Sequence, residues 1–163
     1  MLYLGIDPGY GRMGYGLIKQ TPKAGKPEFI DAGVVETASN LPIGERLEII
    51  EKKTAELLKK KKIFACAVEE VFFKKNLTTG VKLLQARGVI ILTLHKKNIP
   101  LIEISPTSMK KMITGYGAAD KRQMQKMIAR ILGLSSMPKP DDAADALGLA
   151  ICSWLRTKNN RLK

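Results

Sequence analysis

The stretch Leu2 to Gly9, LYLGIDPG, constrains the fold more than any other part of the chain. Leu2, Tyr3, Leu4 and Ile6 form a short, nearly continuous apolar run, the pattern of a strand covered on both faces. Pro8-Gly9 is a turn signal that ends it. Asp7 is therefore presented at the strand's carboxyl end, and in open α/β sheets that edge is where ligand sites collect. Three later carboxylates could be delivered to the same edge: Glu69, Asp142 and Asp145.

Met13 to Lys19 and Phe29 to Val35 read as two further strands, with the Lys-, Gly- and Pro-rich segment Thr21 to Pro27 as a hairpin loop. Three antiparallel strands thus begin the domain. Ile43, Leu47, Ile50, Thr54 and Leu57 then recur at helical spacing, with glutamates outside and Lys59 to Lys62 at the end where the helix dipole favours cations. Ile63 to Val68 is the next buried strand, and it hands over to Glu69 and Glu70 just where Val71, Phe72 and Phe73 begin a loop. From Leu77 to Leu94 the pattern is helical and apolar on most sides in its second half. Gly88 there would allow close approach by another backbone. Pro100 to Ile104 makes a fifth strand, Ser105-Pro106 opens a helix carrying Lys110 and Lys111, and Gly115-Tyr116-Gly117 breaks it. A basic helix follows from about Asp120 to Leu132, and Pro140 suits the first turn of the last helix.

At 163 residues, 45% hydrophobic, the chain suits one globular domain, expected over residues 1–157, with residues 158–163 as a short basic tail open to disorder. Twenty-eight Lys plus Arg against fifteen Asp plus Glu give a formal charge of +13, which favours a polyanionic partner such as nucleic acid. Charge alone chooses no activity, because ribosomal and membrane-surface proteins share it. Cys66 and Cys152 lack metal-ligand spacing and lie in apolar stretches, so both read as buried, reduced thiols. His95, beside Lys96 and Lys97, reads as a surface residue. The start has no signal-peptide pattern and the longest apolar run is far short of a membrane span, so a cytoplasmic protein is expected.

The last helix carries the most diagnostic chemistry, DDAADALGLAICSWL. Asp142 and Asp145, three apart, project from neighbouring positions on the side of Ala146 and Leu149, where an unpaired carboxylate is costly, so a cation should meet them. An acid in the first turn, Asp141 or Asp142, also stabilises a helix N-terminus with no catalytic duty. Asp141 and Asp145, four apart, would serve equally well by spacing. Two strand-end acids and an acidic pair on a closing helix make a hard oxygen-ligand set, suited to Mg²⁺ or Mn²⁺ rather than zinc, and phosphoryl transfer uses such sites.

Taken together, GIDPG, Val68-Glu69-Glu70-Val71-Phe72 with Lys75-Asn76, Gln85-Ala86-Arg87-Gly88-Val89, Gly115-Tyr116-Gly117, Lys121 and Asp142-Ala143-Ala144-Asp145-Ala146-Leu147 resemble, in order and nearly end to end, the RuvC family of Holliday-junction resolvases within the ribonuclease H-like nucleases. Each fragment alone is weak; the ordered set is specific. The resemblance implies an α/β, ribonuclease H-like fold with a five-stranded mixed sheet, its first three strands antiparallel, flanked by helices. It implies that Asp7, Glu69, Asp142 and Asp145 are the catalytic metal-binding tetrad, which decides against Asp141, and that two Mg²⁺ ions per subunit, or Mn²⁺ in their place, are held there. It places Lys110 and Lys121 near the scissile strand and Phe72 against a junction base. The implied partners are four-way junction DNA, a second copy of the chain in a homodimer and the branch-migration helicase complex, with no membrane. The other readings are a related resolvase-like nuclease acting on ribosomal RNA precursors and a non-catalytic basic nucleic-acid-binding module. GIDPG also resembles the first phosphate loop of actin-like ATPases, but those duplicate the fold and 163 residues leave no room for that.

Overall fold

The computed structural model describes residues 1–21, 25–59, 62–71 and 77–160. The elements run β1 (Leu2–Asp7), β2 (Arg12–Lys19), β3 (Glu28–Glu36), α1 (Ile43–Lys59), β4 (Ile63–Glu69), α2 (Leu77–Lys96), β5 (Leu101–Ile104), α3 (Pro106–Thr114), α4 (Lys121–Leu132) and α5 (Asp141–Asn160). They build a five-stranded sheet in the order β3-β2-β1-β4-β5. β1 pairs antiparallel with β2 and β2 with β3, whereas β1 with β4 and β4 with β5 are parallel. The expected mixed sheet with three leading antiparallel strands is the one observed.

The central strand is covered twice, as its unbroken apolar run requires. Leu4 and Ile6 enter a core with Ile50 of α1 and Ile90 of α2, while Tyr3 enters a second core with Ile151 of α5 and Ile128 of α4. Side chains alternate across a strand, so Tyr3, Gly5 and Asp7 share the α5 face. On β4, Ala65 and Ala67 belong to the same α5-side core, and Glu69 follows them by the same period of two.

What lets α5 sit on this face is a patch of three glycines. A Cβ built on Gly5 would stand 2.0 Å from the Ala146 carbonyl oxygen, one on Gly14 2.1 Å from that of Asp142, and one on Gly16 2.6 Å from the Leu147 nitrogen. Gly5 pairs with Gly16 across β1 and β2, and Asp7 with Gly14. The helix backbone therefore lies directly on the sheet, separated by no side-chain layer at these points. Small residues of α5 meet it there, with Ala143, Ala146 and Ala150 all buried.

Helix ends follow local chemistry. Ser105 caps α3 through its hydroxyl and Pro106 takes the first helical position. Asp120 and Gln123 form a reciprocal capping box at the start of α4, and Gly133 closes it in the left-handed region at φ 66°. Pro140 departs from its expected place: it precedes α5 after a cis Lys139–Pro140 bond, and its carbonyl accepts from the amides of Ala143 and Ala144. α5 continues to Asn160, so residues 158–160 of the expected tail extend the helix. Phe72, Phe73, Lys75 and Asn76 fall outside the described residues.

Helix α2 is apolar around most of its described surface, but its faces differ. Ala86, Ile90 and Leu94 are buried in the chain itself, whereas Val81, Leu84 and Leu92 are exposed, Leu92 at 52%. A Cβ on Gly88 would meet open space. Both cysteines are buried and free. Among the described residues no helix is long and apolar enough to cross a membrane.

Candidate active site at the carboxyl edge of the sheet

β1 and β4 are parallel neighbours, and one residue past their last pair, Ile6 with Val68, come Asp7 and Glu69. The two strand-end acids therefore stand side by side on the face that α5 covers. The glycine patch lowers the first turns of α5 onto that spot, bringing Asp142 and Asp145, both half-buried, to Asp7 and Glu69. Asp141, one residue earlier, points out and is exposed.

The charges register this convergence. Burial first, then the carboxylates of Glu69, Asp145 and Asp142, push the Asp7 carboxyl up to about 8, with Lys121 opposing. Burial and Asp145 push Glu69 up to about 6. Burial likewise raises Asp145, against the pull of Lys121 and Lys110. Carboxyls that raise one another disfavour their shared ionisation, the condition that a divalent cation relieves.

Cations meet the helix acids, as burial demanded. The Lys121 Nζ lies 2.9 Å from Asp141 and 4.0 Å from Asp145. The Asp141 carboxylate also accepts from Gln125 Nε2 at 2.8 Å, and these partners hold its carboxyl below the usual range. Lys110, half-buried on α3, reaches Asp145 through its field alone. Arg12 Nε donates to Asp142 Oδ2 at 3.0 Å. Its other arm faces Glu36 Oε1 at 3.6 Å, the residue opposite it in the β2–β3 register.

Two of these basic groups escape a reading of the sequence. Arg12 shares the α5 face with Gly14 and Gly16 by strand alternation, a signal visible only once α5 is known to cover it. Arg87 lies within a motif already singled out, yet its task is local: Nε donates to the Glu69 carbonyl at 3.0 Å and the guanidinium pairs with Glu103. It fastens α2 to the carboxyl end of β4 and so fixes the strand end that presents Glu69.

Four carboxylates and no nitrogen or sulfur donor fit a hard divalent ion in donor chemistry. As they stand, no three of the described acids are gathered closely enough to cage one. Both helix acids instead face a cation, Asp142 meeting Arg12 at 3.0 Å and Asp145 meeting Lys121 at 4.0 Å.

Solved structures of Holliday-junction resolvases share this fold. The chain superposes on the Thermus thermophilus RuvC structure with a TM-score of 0.88 and 30% identity over 97% of each chain. The structure of T. thermophilus RuvC in complex with a Holliday junction substrate gives a TM-score of 0.87 at 28% identity, over 97% of this chain and 95% of that one. The yeast mitochondrial Holliday junction resolvase shares the fold at a TM-score of 0.66 and 16% identity, over 90% of this chain and 75% of its own. In sequence, the chain is 43% identical to a crossover junction endodeoxyribonuclease RuvC of Thermosipho melanesiensis, over 97% of this chain and 99% of that one. With the corresponding Roseiflexus protein it shares 44%, over 91% and 88%. The family model for crossover junction endodeoxyribonuclease RuvC matches residues 3–153. The chain belongs to the RuvC family.

Proposed function

We propose that the chain is a structure-selective DNA endonuclease that resolves Holliday junctions by paired symmetric nicks, hydrolysing phosphodiester bonds in homologous recombination and repair. The observation that carries this reading is the meeting of Asp7 and Glu69 with Asp142 and Asp145 at one sheet edge, with Lys110 and Lys121 beside them.

In this reading Asp7, Glu69, Asp142 and Asp145 hold divalent metal, two Mg²⁺ ions per subunit with Mn²⁺ as a substitute. When bound, such ions supply an activated water and offset the charge on the leaving oxygen. Lys121 and Lys110 hold the scissile phosphate against the acids and offset its developing charge. Arg87 keeps Glu69 at its place on the strand end. Phe72 stacks on a base at the junction. Basic surface elsewhere, part of the +13 total, supplies affinity for the arms.

Paired nicks need two sites related by the two-fold symmetry of the junction, so the working unit is a homodimer. The exposed apolar residues Val81, Leu84 and Leu92 of α2, with Gly88 open beside them, are its expected interface. The branch-migration helicase complex is the expected partner on DNA, in the cytoplasm.

Purified protein incubated with Mg²⁺ and a synthetic four-way junction, beside a linear duplex and a structured RNA, tests the whole reading. Symmetric nicks in the junction alone are expected. Cleavage of the RNA in preference, or binding without metal-dependent cleavage of any substrate, would replace it.

A further inference from the structure

Arg12 stands in an unusual position for a cation. It opens β2, points to the face that α5 covers, and its Nε meets Asp142 at 3.0 Å, so it neutralises an acid of the site directly. It also has a second place to rest. Glu36, last residue of β3 and paired with Arg12 in register, lies 3.6 Å from its other arm. The guanidinium fork can satisfy two carboxylates at once, or lean on either one. The side chain is 49% exposed.

From this geometry we infer that Arg12 is a built-in competitor of the divalent ion: it holds Asp142 away from the other acids, and the ion must displace it toward Glu36 to complete the site. The inference rests on the metal-binding reading above and adds a residue to it. Three observations support it. The described acids do not cage an ion as they stand. Asp142 is the tetrad member whose carboxylate accepts from an arginine. The released arginine has a carboxylate waiting across the strand pair. Arg12 is thus a positioning residue, acting on the ion through Asp142.

The charge argument fixes opposite signs for two variants. Removing the competitor, in Arg12→Gln, frees Asp142. Removing the parking carboxylate, in Glu36→Gln, leaves Arg12 with Asp142 alone. Arg12→Lys keeps the positive charge and should resemble the wild type.

Titration of the intact, DNA-free chain with Mn²⁺, read by calorimetry or by the paramagnetic signal of free Mn²⁺, tests this without recourse to cleavage. Arg12→Gln should bind Mn²⁺ about two- to fivefold more tightly, the range that an exposed ion pair represents. Glu36→Gln should bind it more weakly by a similar factor. Unchanged or weaker binding in Arg12→Gln, with Glu36→Gln also unchanged, overturns the role of Arg12. Asp7→Asn separates this from the reading beneath it, and should weaken Mn²⁺ binding strongly. If Asp7→Asn binds like the wild type, the acidic metal site itself is wrong, and the competitor role falls with it.

Discussion

Lys121 and Asp141 are joined by an ion pair of 2.9 Å at the mouth of the acidic site. Asp141 is not an idle neighbour of the tetrad. It takes Lys121 on one side and Gln125 on the other, and so decides where the lysine rests when no phosphate is present. The pair is exposed on both sides and therefore easily exchanged for a phosphate. Lys121→Ala is expected to slow cleavage about ten- to a hundredfold at low salt, below the loss of a fully enclosed oxyanion donor. Asp141→Asn should stay within roughly threefold of wild type. Cleavage rates across a salt titration check both, because salt screens a lysine contact and leaves a metal ligand's role untouched. A wild-type rate for Lys121→Ala at every salt concentration would remove it from the site.

The four acids should behave as one group. Asp7→Asn, Glu69→Gln, Asp142→Asn and Asp145→Asn are each expected to lower cleavage more than roughly a hundredfold, since even residues that only support a metal ligand cost 10- to 100-fold. Junction binding, measured by gel shift, should change little because affinity comes from the basic surface. Efficient cleavage by any one of them in Mg²⁺ would exclude that residue.

Metal-free stability should depend on pH through Asp7. Its carboxyl rises from 3.8 to about 8 on folding, so the folded chain keeps a proton that the unfolded chain releases. Below about pH 4 both states are protonated and nothing is lost; between pH 4 and 8 stability falls as pH rises, and above 8 the loss is complete. Asp7→Asn has no proton to hold. Its melting temperature should exceed that of wild type at pH 8, by roughly 2–4 °C for each kcal/mol recovered in a chain of this size, and the gap should close at pH 4. Thermal melts in chelator at the two pH values decide it, and a constant difference would show that Asp7 is not the group responsible.

The proposed dimer would use the exposed side of α2. Leu92→Glu should leave the fold intact, since Leu92 is half exposed in the single chain, while breaking the interface and abolishing paired nicking. Val89, in contrast, packs partly against the α1–α2 core, so a charge there would disturb the chain itself. Sedimentation distinguishes the cases. Wild-type protein that sediments as a monomer yet makes coordinated paired cuts would end the dimer argument.

The glycine patch carries its own expectation. Gly14→Ala places a methyl 2.1 Å from the Asp142 carbonyl oxygen, a backbone atom that can yield only if α5 moves. A cost of about 1–3 kcal/mol is the usual range for such overpacking, with cleavage lost as Asp142 is displaced. Gly44→Ala, where open space surrounds the added methyl, is the matching control. Circular dichroism melts beside cleavage assays would show whether the two positions differ as required.

Much of this was legible in the sequence because it is written in local periods. A strand's period of two puts Asp7 with Gly5 and Glu69 with Ala67, and helical spacing puts Asp145 on one side with either Asp142 or Asp141, a choice that only the family resemblance made. The carriers of the remaining chemistry are set by register between distant segments. Arg12 meets Glu36 through the β2–β3 pairing and Asp142 through the docking of α5, and neither relation has a local signature. Gly14 and Gly16, within MGYGLIK, look from the sequence like weak points in a strand. Only the backbone of α5 lying on them explains why a side chain is excluded there. For α2, apolar periodicity showed too much hydrophobic surface for one partner but could not say that Val89 turns inward and Leu92 outward.

The seating of α5 on its bed of glycines also sets when the enzyme comes into being. A nascent chain that has emerged through β4 already displays Asp7 and Glu69, but their two counterparts arrive more than seventy residues later on the final helix. Chemistry therefore waits for the most non-local closure in the chain, the kind of contact that forms late in folding. Until then the growing polypeptide carries only half of the proposed site. Protection of the α5 amides from hydrogen exchange should accordingly appear together with cleavage activity during refolding, and activity preceding that protection would disprove the coupling.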